Sequence, residues 1–182
     1  MIAARTMSLN RWLLRDRALA AIAFAVFVAI VLFQAPWSPA ASSHFRDFTG
    51  APPFDERPAG YALSDVVLAF DRLGAPGLFD YEAYRLLDLF FPWLLCALVA
   101  GVMLRLDAAR ATMWPWLAAL ADTAENATQY AMLATRADLS PALAQWASGL
   151  TQLKFVSYAI MLAMLLAVGA RHLWRRHRAP LR

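Results

Sequence analysis

Long apolar runs separated by charged punctuation dominate this chain. Ala18 to Trp37 is 20 residues without a charge, enough to cross a hydrocarbon core of ~30 Å. Leu89 to Leu104, between Asp88 and Arg105, is a short run of 16 residues with Pro92 inside it. A third run, Thr112 to Thr135, falls within 25 residues free of Lys and Arg. The fourth helix starts at Ser140-Pro141, an N-cap residue followed by proline at the first helical position. The pattern predicts an all-α polytopic membrane protein: one domain over residues 1–182, four spans at about 18–37, 89–104, 112–135 and 150–170 forming a bundle, and a loop at 38–87.

The loop is different material, with five prolines and many charges. His44 to Gly60 reads as irregular. In Tyr61 to Leu73 the apolar Val66, Val67, Phe70 and Leu73 recur at helical spacing, which predicts a short amphipathic helix. Gly74-Ala75-Pro76-Gly77 breaks it, and Asp80 makes an N-cap, with Glu82 in the first turn, for a helix running into the second span. Pro92 removes one backbone hydrogen bond and frees the Asp88 carbonyl, so a kink is expected beside a carboxylate. The short 105–110 connection makes spans two and three antiparallel neighbours. The long basic leader and the length of the first run favour a retained span over a secretory signal, for which Pro39-Ala40-Ala41 is a weak cleavage site.

Composition supports this reading. The apolar share is 61% and the mean hydropathy +0.47, against ~45–50% apolar in soluble domains. The net charge is +4, but the basic residues crowd at the termini and no nucleic-acid-binding signature accompanies them. The termini and the 105–110 turn together hold eleven basic residues against two acidic. The remainder holds six basic against nine acidic once Asp122 and Glu125 are set aside. The positive-inside rule then puts both termini in the cytoplasm and 38–87 outside. Arginine outnumbers lysine sixteen to one, the habit of a GC-rich bacterial genome, so the expected location is a bacterial inner membrane. Cys96 is the only cysteine, and His44, His172 and His177 lie outside the apolar blocks. That excludes a disulfide, a CxxC redox pair and a haem on intramembrane histidines. No cofactor and no metal are expected.

The third run carries the chemistry. Asp122, Glu125, Asn126 and Gln129 stand at i, i+3, i+4 and i+7, one stripe on a helix that should face the bundle interior. By depth, Glu125 meets Lys154 of the fourth helix, the chain's single lysine. Thr151 and Tyr158 lie one turn to either side of Lys154. The predicted polar cluster is Asp88, Glu125, Asn126, Gln129, Thr151 and Lys154, with Asp122 deeper. As a lock between helices two, three and four, such a cluster contributes about 0.6 kcal/mol per hydrogen bond. One lysine does not balance Asp88, Glu125 and Asp122, and that surplus of acid points instead to a proton- or cation-responsive site.

Three function classes follow. The first is a binding, assembly or accessory membrane protein. The second is a small proton- or cation-coupled transporter using Glu125, Asp122 and Lys154, and the third an intramembrane lipid-modifying enzyme. No substrate-binding motif accompanies the acids, Ser148 and Ser157 lack a histidine at their depth, and the sequon Asn126-Ala127-Thr128 sits too deep to be glycosylated. The tail residues Arg171, Arg175, Arg176 and Arg178 anchor topology and suit anionic lipid headgroups.

Asp88-Leu-Phe-Phe-Pro92, Ala121-Asp122-Thr-Ala-Glu125-Asn126 and Thr151-Gln-Leu-Lys154-Phe155, with Tyr84-Arg85-Leu-Leu upstream, resemble a pattern in small bacterial integral membrane proteins of uncharacterised function. The likeness covers about residues 60–170. It implies the four-span layout and the grouping of these polar positions, and no activity. Trp93 departs from the pattern, where a smaller or phenolic residue is expected a few positions on.

Overall fold

Every described element is helical, and no strand occurs among the described residues. The computed structural model describes Leu9 and residues 11–178; Arg5 of the basic leader and Arg182 of the tail lie outside them. Helix α1 spans Asp16–Gln34, α2 Ser42–Thr49, α3 Leu63–Arg105, α4 Met113–Ala134 and α5 Pro141–Arg178. Short 3-10 turns occupy Phe54–Glu56, Ala109–Thr112 and Arg136–Asp138. Helices α1, α3 and α5 are long and apolar enough to cross a membrane. Helix α4 has the length at 22 residues, but its polar stripe keeps it out of that set.

The loop is more ordered than its composition suggests. His44 to Gly60 is not irregular throughout. Phe45 is 3% exposed and lies 5.4 Å from the Phe54 ring and 5.0 Å from Tyr81. That burial folds Ser42–Thr49 into α2, which stops at Gly50 with φ 74, the left-handed conformation that glycine adopts without cost. At the start of α3 the Asp65 carboxylate accepts the Ala62 amide at 2.8 Å. The predicted break narrows to Gly74, with φ 57 and ψ −171. The helix resumes at once with Pro76 in its new first turn, where a missing N–H costs nothing. Asp80 therefore lies inside the helix and caps nothing; it pairs with His44 Nδ1 at 3.0 Å. The second apolar limb consequently begins well upstream of Leu89, and Tyr81, Tyr84, Arg85 and Asp88 belong to it. Backbone angles at Pro92 stay helical.

Helix α4 packs between α3 and α5, while α1 lies on α3. The same three layers repeat along α3, α4 and α5. An aromatic layer holds Phe45, Phe54, Phe70, Tyr81 and Tyr84 beside Met132 and Ala147. A polar layer follows. An apolar layer then holds Cys96, Met103, Ala118, Ala119 and Met161. Chemistry at one depth on each helix puts the polar groups together.

Residues 50–62 are fastened to α5 at Ser148 and Gln152 and again at Lys154, most closely around Gly60. Gly60 has φ 79, the Tyr61 amide donates to Ser148 Oγ at 2.9 Å, and a Cβ on Gly60 would stand 2.5 Å from Ser148 Oγ. Gly60→Ala should cost about 1–3 kcal/mol through both strain and displacement of that contact. Thermal unfolding in detergent checks it, and an exposed neighbour such as Ala59→Ser should leave the midpoint unchanged.

Candidate functional site

Three acids, two cations and two amides fill the polar layer, and a further acid comes down from the loop. Glu125 and Asn126 are fully buried, Gln129 and Thr151 nearly so, and Asp88, Asp122 and Lys154 are each under 8% exposed. All seven predicted positions meet in one network. Lys154 Nζ stands 2.9 Å from Glu125 Oε2. Glu125 Oε1 accepts from Gln129 Nε2 at 2.5 Å and from Thr151 Oγ1 at 2.7 Å. Asn126 Nδ2 donates to Asp122 Oδ1 and to the Asp88 carbonyl, both at 3.2 Å. That carbonyl is the one Pro92 leaves without an intrahelical donor, so Asn126 answers a need created on the neighbouring helix. The Asn126 side chain is fully buried and engaged, so the sequon offers no amide at the surface.

The network contains residues that sequence reasoning passed over. Arg85 is the largest fully buried side chain. Its Nη1 lies 3.1 Å from Asp88 Oδ2 and 3.5 Å from Asp55 Oδ1, and its Nη2 donates to Asn126 Oδ1. Asp55, in the Phe54–Glu56 turn, is 6% exposed. It accepts the Tyr84 hydroxyl at 2.6 Å on Oδ2, which is 3.9 Å from Lys154 Nζ. Tyr81 donates to Gln129 Oε1 at 2.9 Å, and Tyr158 to Asp122 Oδ2 at 2.9 Å. A signal for most of these was present. Tyr81, Tyr84, Arg85 and Asp88 repeat the i, i+3, i+4, i+7 spacing of the α4 stripe, so the two faces are matched helix to helix. Asp55 has no such signal, because only the folded loop delivers it.

These additions raise the number of charges and leave their balance unchanged. Four acids (Asp55, Asp88, Asp122, Glu125) face two cations (Arg85, Lys154), the same surplus of two carboxylates as three acids facing a lone lysine. Asp88, Asp122 and Glu125 bring carboxylate oxygens within 4.8 Å of one another, a spacing a divalent cation could use. The Lys154 ammonium already stands against Glu125, and both Asp122 oxygens accept hydrogen bonds, so these donors suit a metal poorly. At the rim, burial pushes the Tyr61 phenol up to about 12, and it stays protonated at any physiological pH.

The polar layer is open on one side. A cavity of about 340 Å³ lies between α1 and α5, with α3 behind it. Asp55, Asp88, Asp122 and Lys154 form its floor, and Phe33, Tyr84, Phe91, Phe155 and Tyr158 its aromatic walls. Glu125 is fully buried and does not line the cavity; Lys154, which does, stands against it. At the other end of α5, Arg171, His172, Arg175 and Arg176 line a second cavity of about 280 Å³ against Asp107. Arg178 lies outside that cavity, 4.0 Å over the Trp174 ring.

No family model matches the chain, and no match is found among curated proteins or solved structures. The family resemblance therefore rests on the motifs that carry it.

Arg85 is the side chain whose loss the network should feel most. Arg85→Leu leaves Asp55 and Asp88 uncompensated, which should cost about 3–5 kcal/mol. Arg85→Lys should recover less than half, because a single ammonium does not reproduce the planar fork. Thermal unfolding in detergent reads both, and Leu86→Ala, at an exposed position on the same helix, is the control expected to change little.

Proposed function

We propose that this is an integral membrane binding or accessory protein of a bacterial inner membrane. Its buried polar network fixes α3, α4, α5 and the 38–62 segment in register and presents a polar floor to a side cavity. The observation that carries this reading is the cavity itself, since Asp88, Asp122 and Lys154 serve both the network and the cavity floor. A dry lock alone has no need of an opening beside its charges. A carrier needs access to Glu125, whose side chain is fully buried, so the geometry favours the binding reading over transport through Glu125, Asp122 and Lys154. A second reading, an intramembrane enzyme acting on lipid, is favoured by the Asp122–Tyr158 pair lying beside the same cavity.

Four spans with both termini cytoplasmic complete the proposal. What supports the fourth is the place of α4, packed along both α3 and α5, each of which is long and apolar enough to cross. The basic cavity at the end of α5 supports anionic lipid headgroups as partners of Arg171, Arg175 and Arg176. In a Cys96→Ser background, a cysteine at Ala59 should be labelled by an impermeant maleimide from the periplasmic side, and one at His177 only after the membrane is breached. The reverse pattern overturns the orientation.

The register role has its own test. Lys154→Glu alone should lose about 3–5 kcal/mol, and Glu125→Lys a similar amount. Combining them should restore at least half of that loss in a thermal unfolding measurement. A double variant no more stable than either single one removes the direct pair from the account.

A further inference from the structure

We propose that the cavity between α1 and α5 holds the ammonium head of an amphiphile, with the start of its apolar tail against Ile30 of α1 and Leu95 of α3. This rests on the binding reading above and names its ligand class. Three observations converge on a cation. The first is charge: the floor and its immediate partners carry two more carboxylates than cations, and a second anion would add to that surplus. Glu56, also on the cavity wall, is not counted, because Arg46 pairs with it.

The second is an unmet acceptor. Asp55 is 6% exposed and lines the cavity, yet its Oδ1 accepts no hydrogen bond and has Arg85 Nη1 only at 3.5 Å. Buried carboxylate oxygens are rarely left this way, and each such group calls for an explanation. Oδ1 itself faces the buried Arg85, so a cationic head on the cavity floor compensates the Asp55 carboxylate by its charge and not by a hydrogen bond.

The third is the wall. Five aromatic rings surround a floor of carboxylates, the combination that recognises ammonium groups through ring faces within ~6 Å and opposite charge beneath. A volume of about 340 Å³ lies at the small end of ligand pockets, ~300–1,000 Å³, and suits a head group with the first part of a chain. Ile30 and Leu95, which line the cavity from α1 and α3, are apolar, so a chain lies against them without burying a polar atom.

A diazirine-bearing dodecyltrimethylammonium probe tests this on the full chain in phosphatidylglycerol nanodiscs, with a matched dodecyl sulfate probe beside it. The ammonium probe should crosslink to peptides containing Phe91 or Phe155 at least tenfold more than the sulfate probe. That labelling should fall at least tenfold in Asp55→Asn, and equally in Leu95→Trp, which narrows the cavity without touching a charge. Competition by free tetramethylammonium assigns the site to a soluble amine; competition by phosphatidylethanolamine alone assigns it to a lipid head. Equal labelling by both probes overturns the ammonium assignment and leaves the binding reading standing. Labelling of neither at the cavity overturns both. Loss of labelling at millimolar magnesium overturns it in favour of a metal at Asp88, Asp122 and Glu125.

Discussion

A guanidinium with no access to water governs how this protein is put together. Arg85 is wholly enclosed, and its neighbours come from three separate parts of the chain: Asp88 on its own helix, Asn126 on α4 and Asp55 in the loop. An ion in such surroundings is tolerable only when its partners are close and well aimed. The position of α4 along α3 and the descent of the loop onto the helices are both consequences of that demand. Lys154 imposes a similar condition on α5 through Glu125. Because acids outnumber bases here, the arrangement is tied down without being neutral.

Layering makes this demand compatible with a membrane. On one side of the polar positions lies an aromatic layer supplied by α2, the loop and α3, against which α4 and α5 set Met132 and Ala147; on the other side all three helices bring small or sulfur-containing residues. The polar layer is therefore bounded by packed apolar side chains at both ends, and its electrostatics act in surroundings with little water to screen them. Only the side between α1 and α5 interrupts the enclosure. Helix α1, which packs on α3 through Ile22, Val26 and Ala100, contributes apolar wall there and nothing to the hydrogen-bond network.

Much of this was legible in the residues, and the parts that were not share a cause. The α4 stripe and the Lys154–Glu125 pairing follow from spacing and depth, because both groups lie inside long apolar runs with nothing else to meet. Tyr81, Tyr84 and Arg85 obey the same spacing on α3, but Asp88 reads as a boundary in a one-dimensional pattern, and an arginine beside a boundary reads as a surface group. Its burial becomes visible only once Asp55 is known to face it. Asp55 lies between prolines in a segment without periodicity, and its place depends on α2, the Gly60 fastening and the Phe45–Phe54–Tyr81 contacts, none of which a local window contains. Asp80 fails as a cap for a simpler reason: glycine and proline close together need not end a helix for more than one residue.

The contact between Asp55 and Lys154 has a bearing on biogenesis. Asp55 precedes α5 in the chain, so its carboxylate has Arg85 and Tyr84 of α3 to meet before Lys154 is made. Until Lys154 arrives, Glu125 lacks the ammonium that stands against it in the folded protein. Asp55 thus joins an early part of the chain to a later one, and α5 completes a set of contacts begun on α3.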